Sequence, residues 1–157
     1  MRKQMENISI ENAELLKGPF LNFSGKANKY NREGDRNFCI VIEDPEFAES
    51  LINDGWNIKT LTPKDEQDDP LLYLPVACKY GDYPPEIWLV QGHSKTLLDE
   101  DSINCLDYAE IENVDIIINP YHWGPLPDGA EGIKAYVKKM WVTIAMDDFA
   151  SKYEFDD

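Results

Sequence analysis

The chain has 157 residues, 43% of them hydrophobic, which suits one folded domain with a single core and excludes a disordered chain. Its formal net charge of −15 argues against a protein that coats nucleic acid with its whole surface, although a local basic segment is compatible with it. Three cysteines without a Cys-x-x-Cys pair, and only two histidines, predict reduced thiols instead of a disulfide framework or a zinc site. Because the start is polar and no apolar window approaches a membrane span, we expect a cytoplasmic protein. No cofactor is expected.

Most of the segments with a clear pattern predict strands, over residues 36–43, 56–62, 71–80, 86–91, 114–119 and 133–146. Between the first two strands, Asp44 and Pro45 are an N-cap and a first helical position, and Gly55 marks the end of that helix. Its apolar stripe comprises Phe47, Ala48, Leu51 and Ile52. Residues 99–107 predict a turn or two of helix, with Ile103 and Leu106 facing inward.

The last predicted strand contains a conflict in its alternation. Lys134 and Tyr136 share their parity with Met140, so a regular strand would place charged and apolar side chains on one face. A β-bulge near Lys138 and Lys139 would swap the faces and reconcile the two halves.

Several strands, the turns between them and one short helix favour a small barrel or sandwich. The sequence contains no internal repeat and no linker that would divide two domains. We therefore expect one domain over residues 1–146, followed by a distinct tail over residues 147–157.

Residues 23–38 are the one basic stretch of this acidic chain. Four cations face two acids there, and an aromatic ring, Tyr30, lies among them; the cations are Lys26, Lys29, Arg32 and Arg36. Cations that follow a phosphate backbone, with rings on which bases stack, are typical of a surface that binds single strands. The alternative is a solvated hairpin whose charges only keep it in solution.

A second segment of this kind lies in the last strand, where alternation would project Lys134, Tyr136 and Lys138 from one side of the sheet. Together with the basic loop it could form a continuous track, and the alternative is an ordinary exposed sheet face. Of the four tryptophans, Trp56 and Trp88 are predicted to be in the core. Trp123, beside Tyr121 and His122, is a candidate for base stacking or for a lid over the barrel end.

Catalytic patterns are weak. No Ser-His-Asp spacing and no Gly-rich loop between a strand and a helix occurs. The nearest set for a metal-dependent nuclease is Asp115 with Glu131 and Lys134, but the spacing of the last two residues prevents them from sharing one strand face. We therefore expect that the protein is not an enzyme.

The tail, residues 147–157, combines five acids with three aromatic residues and one lysine. A solvating tail needs no rings, whereas an acidic segment with apolar anchors suits a basic groove on a partner. The alternative is a frayed end. The residues predicted to contact a partner are Asp147, Asp148, Phe149, Tyr153, Phe155, Asp156 and Asp157.

The chain resembles the small single-stranded DNA-binding proteins of OB fold that phages and prophages encode. The resemblance is carried by residues 20–26, 30–38, 54–59, 114–121 and 132–138, and so extends over most of the chain. It implies a mainly β, OB-fold-like five-stranded barrel with one short helix and extended loops. The chain departs from the family in its short tail, in which two aspartates follow Phe155.

The resemblance further implies sequence-tolerant binding of single-stranded DNA in replication or recombination, and a tail that contacts replication or recombination proteins. It adds Lys59 to the DNA-binding residues, which otherwise come from the two basic segments and the Trp123 region: Lys26, Lys29, Tyr30, Arg32, Arg36, Tyr121, Trp123, Lys134, Tyr136 and Lys138. A homodimer is left open. The rival functions are an acidic DNA-mimic inhibitor of a host nucleic-acid enzyme and a metal-dependent nuclease.

Overall fold

The computed structural model describes residues 7–16, 21–27, 33–62, 69–81 and 84–145. Within them, nine strands, one α-helix and one 3₁₀ helix follow one another along the chain. They are β1 (Ile8–Ile10), β2 (Glu14–Leu15), β3 (Arg36–Val41), α1 (Pro45–Asp54), β4 (Lys59–Leu61), β5 (Leu71–Cys78), β6 (Glu86–Gln91), β7 (Ser94–Leu98), the 3₁₀ helix (Ile103–Asp107), β8 (Ile111–Trp123) and β9 (Gly132–Ile144).

The nine strands belong to one sheet with neighbours in the order β1-β8-β9-β5-β3-β2. One edge of β9 pairs with β8, and two strands share its other edge. Both pair with β9 in parallel, β5 near the start of β9 and β6 further along. Strand β4 adds to β5, and β7 adds to β6. The mainly β, OB-fold-like class with one α-helix is confirmed. The strand number differs from the expected five because short strands add to the edges, and the sheet does not close.

The predicted strands are found with shifted ends. Residues 86–91 match β6, but β8 is longer than predicted at both ends, and the stretch 56–62 keeps only β4, with Trp56 in an isolated bridge to Ile133. The sequence patterns did not indicate β1, β2 or β7. The inward faces of the long strands form the core, in which the rings of Phe23 and Phe38 stack with centroids 5.0 Å apart. Both rings are therefore unavailable to a ligand.

The bulge predicted in β9 is present at Lys138. Ile117 of β8 pairs with Lys139, and the next residue, Ile118, pairs with Val137, so Lys138 is the extra residue. Val137 before the bulge and Met140 after it both point into the core. One strand thereby keeps an apolar inner face along its whole length.

The helix α1 begins and ends where its sequence signals place it. The Asp44 carboxylate accepts the N–H of Glu46 at 3.0 Å, and Gly55 ends the helix with φ of 102°, which glycine adopts without strain. Ala48 and Leu51 are buried, but Ile52 is 52% exposed, so the buried stripe is narrower than predicted. In the described part of the chain, no helix is long and apolar enough to cross a membrane.

The 3₁₀ helix buries Ile103 and Leu106 as predicted. Its last residue, Asp107, binds the backbone of residues 23 and 24, at the start of the basic loop. The Asp107 carboxylate accepts the backbone N–H of Phe23 at 2.6 Å and that of Ser24 at 2.9 Å, and also the Ser24 hydroxyl. Next to it, the Lys26 ammonium donates to the Tyr108 hydroxyl and lies 5.1 Å from that ring's centroid. The start of the basic loop, residues 23–26, is thus fixed to the end of the 3₁₀ helix.

We expect Asp107→Ala to lower the free energy of unfolding by about 2–3 kcal/mol, because two backbone donors lose a charged acceptor at once. Urea denaturation followed by circular dichroism measures this loss. Asp107→Asn keeps one acceptor oxygen and is expected to lose about half as much. Equal stability of Asp107→Ala and the parent protein would contradict the anchoring role.

Candidate nucleic-acid interface

A groove of about 820 Å³ opens where β3, β5 and β9 meet. It forms there because β5 pairs with β9 over only two residue pairs, Val76–Ala135 and Ala77–Tyr136, so the neighbouring side chains face open space. Its polar and aromatic lining includes Arg36, Asn37, Trp56, Lys79, Tyr80, Glu100, Trp123, Glu131, Lys134 and Tyr136.

Arg36 and Tyr80 form one wall of the groove. The Arg36 side chain is only 15% exposed, its guanidinium lies 5.7 Å from the Tyr80 ring centroid, and one N–H donates to the Glu100 carboxylate at 3.4 Å. The Arg36 Nε and the Tyr80 hydroxyl are buried and have no hydrogen-bond partner among the described residues. Burial raises the pKa of the Tyr80 phenol, which keeps its proton available to donate. Two buried donors without acceptors favour a ligand that brings oxygen atoms.

The opposite wall is the outer face of β9. The Lys134 ammonium lies 5.3 Å from the centroid of the Tyr136 ring, and Tyr121 on β8 meets that ring edge-on at 6.2 Å. Tyr121 pairs directly with Lys134 across the two strands. The alternation predicted for Lys134, Tyr136 and the exposed Lys138 is therefore present.

Two tryptophans stand at the end of the groove. Trp123, the last residue of β8, packs on Gly132, where a Cβ atom would lie 2.9 Å from its ring, and still leaves 37% of its surface exposed. Trp56 is 5% exposed and belongs to the core, as predicted. Trp88 was predicted to be in the core as well, but it is only half-buried, because it points to the outer face of β6.

The structure brings four of the predicted DNA-binding residues together in the groove lining: Arg36, Trp123, Lys134 and Tyr136. Tyr121 adjoins them, whereas Lys26, Lys59 and Lys138 lie outside the lining. Sequence reasoning did not assign Lys79 and Tyr80 to the site, although the alternation of residues 71–80 groups Tyr80 with the inward residues of β5, which ends two residues earlier at Cys78.

The centre of the basic loop, Lys29, Tyr30 and Arg32, lies outside the described residues, and so does the whole tail, with all of its predicted partner-binding residues. The described ends of the loop are joined by a hydrogen bond from the N–H of Gly34 to the carbonyl of Gly25 at 2.7 Å. Gly34 itself lines the groove. The second half of the basic loop, from Gly34 to Arg36, therefore lies at the groove.

The charges of the lining balance in an acidic protein. The three cations Arg36, Lys79 and Lys134 are matched by the three acids Asp35, Glu100 and Glu131, and the Glu131 carboxylate lies 3.6 Å from His122.

The residues considered for a nuclease do not converge. Glu131 and Lys134 line the groove, but Asp115 lies outside the lining and accepts the N–H of Asn12 at 3.0 Å. No group of three or more His, Cys, Asp or Glu residues in the described ranges could hold a metal ion.

The match to a family covers almost the entire chain, including every strand that builds the groove. The family model described as "Putative phage ssDNA-binding domain" matches residues 1–155. The chain belongs to this family. The resemblance seen in the sequence of this phage ssDNA-binding domain is thus confirmed. Among curated proteins, no sequence matches it.

Two solved structures are similar to this phage ssDNA-binding domain. The single-stranded DNA-binding protein from bacteriophage Enc34 superposes with a TM-score of 0.53 at 10% identity, over 87% of this chain and 79% of the other. This similarity shows a shared fold. The structure of gp2.5, a single-stranded DNA binding protein encoded by bacteriophage T7, gives a TM-score of 0.44 at 8% identity, over 94% of this chain and 97% of the other.

Proposed function

We propose that this phage ssDNA-binding domain binds single-stranded DNA along the β3–β5–β9 groove, without sequence preference and without catalysis. The observation that carries the proposal is the convergence of Tyr136, Trp123 and Lys134 with Arg36 in one open groove. Rings accept any base because every base has a π-face, and cations beside them meet the phosphates. Its membership of the family supports the choice of ligand.

The two walls suit the two parts of a nucleotide. Tyr136 packs nearly perpendicular to Tyr121 and lies in the groove lining, where its ring can stack on a base. Arg36 and Tyr80 offer buried donors to a phosphate or a base edge. Glu100 now accepts from Arg36 at 3.4 Å, and an arriving phosphate would replace that carboxylate.

Fluorescence anisotropy with labelled oligo-dT, a mixed-sequence single strand and a duplex tests this proposal. We expect the two single strands to bind with similar affinities, both at least tenfold tighter than the duplex, and to weaken as salt rises because counterions are released. Magnesium should cause no cleavage. Preferential duplex binding, or no binding of any DNA, would refute the proposal.

We also place this activity in phage DNA replication or recombination, in the cytoplasm of the host. The support is the phage family, since strands exposed during copying and exchange need a protein that accepts every sequence. Partner contact is assigned to the tail, residues 147–157, whose five acids are accompanied by three rings.

The acidic tail is further proposed to compete with DNA for the groove. Deleting residues 147–157 is expected to tighten single-strand binding several-fold at low salt, with a gain that narrows as salt screens the tethered anion. A full-length variant with the five tail acids changed to amides is the matched control and should behave like the deletion. Equal affinities of the full-length and truncated proteins at low salt would show that the tail does not occupy the groove.

A further inference from the structure

Beyond the bulge, the outer face of the sheet carries a second pair of aromatic rings. Trp141 of β9 pairs with Trp88 of β6 in parallel register, and both side chains are half-buried. The Lys139 ammonium lies 4.9 Å from the Trp141 ring centroid, and the Lys95 ammonium lies 5.6 Å from that of Trp88. We call these four residues the tryptophan platform.

The tryptophan platform lies on the same face of β9 as the groove wall. The bulge at Lys138 reverses the alternation, so Tyr136 before it and Trp141 after it both point outward. At ~3.3 Å per residue, the two rings are separated by roughly 15 Å along the strand. Lys138 is exposed between them. One strand thus presents ring, cations and ring in line.

The charges around the tryptophan platform are nearly balanced. Glu86 accepts from Lys139 at 3.0 Å, and Asp115 lies opposite Trp141, where it accepts the N–H of Asn12. Within the described ranges, Lys95 and Lys138 have no carboxylate partner. Both amines are therefore available to a polyanion that passes over the rings. A purely structural pair of tryptophans needs neither the exposed amines nor the alignment with Tyr136.

We propose that the tryptophan platform is a second stacking site, over which a single strand continues from the groove along β9. This inference rests on the proposed function and extends the contact surface to Trp88, Lys95, Lys139 and Trp141. Short strands then engage the groove alone, and longer strands engage both sites. Affinity therefore rises with strand length in a way that the tryptophan platform controls.

The test compares oligo-dT of about 4 and about 16 nucleotides, the limits of the site sizes known for OB folds. In the double variant Trp88→Ala/Trp141→Ala, we expect unchanged affinity for the short strand and at least tenfold weaker binding of the long one. The matched control, Trp88→Phe/Trp141→Phe, keeps both rings and should keep most of the long-strand affinity. Circular dichroism and urea denaturation check the fold of each variant.

Tryptophan fluorescence provides a second measurement that does not depend on the alanine variant. In a Trp56→Phe/Trp123→Phe background, which removes the two tryptophans of the groove lining, long oligo-dT should quench the emission of Trp88 and Trp141, and the short strand should leave it unchanged. In the Trp88→Ala/Trp141→Ala variant, equal losses of affinity for the short and the long strand, or no loss of affinity for either, would overturn the proposal. A shift from dimer to monomer in light scattering of Trp88→Ala/Trp141→Ala would instead assign this face to a second copy of the chain. Normal binding of short strands in any of these cases leaves the proposed function intact.

Discussion

Replacing Arg36 and Lys134 with glutamine is expected to weaken binding of a short oligo-dT and to flatten its salt dependence. Each phosphate contact to a single strand contributes about 0.7 to the slope of log affinity against log salt, so the double variant should lose about 1.4. The loss in affinity should be largest at low salt. Anisotropy titrations at four or five salt concentrations measure both quantities.

The matched control for this change is Lys95→Gln, which also removes a cation from a sheet strand. Lys95 lies on β7, away from the groove, so a strand that fills only the groove should bind this variant as it binds the parent protein. The Arg36 side chain is only 15% exposed, so its replacement could destabilise the protein, and urea denaturation of the variant checks that it still folds. An unchanged salt slope in Arg36→Gln/Lys134→Gln would place the DNA elsewhere on the protein.

Tyr136→Ala is expected to reduce single-strand affinity by about 1–3 kcal/mol, the usual contribution of one base stacked on an aromatic ring. The ring lies in the groove lining, nearly perpendicular to Tyr121 and with the Lys134 ammonium over it, so its removal deletes the proposed stacking surface and leaves Arg36 and Lys134 in place. The salt slope should therefore stay close to that of the parent protein. Isothermal titration or anisotropy at a fixed salt concentration measures the difference.

Tyr136→Phe separates the ring from the hydroxyl in that experiment. The phenylalanine variant keeps the stacking surface and is expected to bind within about twofold of the parent protein. Binding as weak as that of Tyr136→Ala would show that the hydroxyl carries the interaction. Normal binding by Tyr136→Ala would remove this ring from the contact surface altogether.

Local sequence signals predicted the features of the fold that depend on neighbouring residues. The helix α1 followed from Asp44, Pro45 and Gly55, and the bulge followed from the change of parity around Lys138. The short strands β2 and β7 carry little pattern of their own, because they exist through pairing with β3 and β6. The full length of β8 has the same origin, since its polar end is held by pairing with β9.

The candidate site divides in the same way. The common face of Lys134 and Tyr136 is a property of one strand, so alternation alone was sufficient to predict it. The wall formed by Arg36 and Tyr80 depends on the pairing of β3 with β5, in which Arg36 lies opposite Cys78. Glu100 joins that wall from the turn before the 3₁₀ helix, which no local pattern could indicate.

The position of β9 in the chain has a consequence for biosynthesis. It follows every other described strand, yet it provides the partner edge for β5, β6 and β8. A growing polypeptide therefore exposes those edges, with their apolar inner faces, until residues 132–144 have left the ribosome. The same delay leaves the groove without one wall, so the nascent chain gains the proposed DNA-binding surface only at the step that completes its sheet.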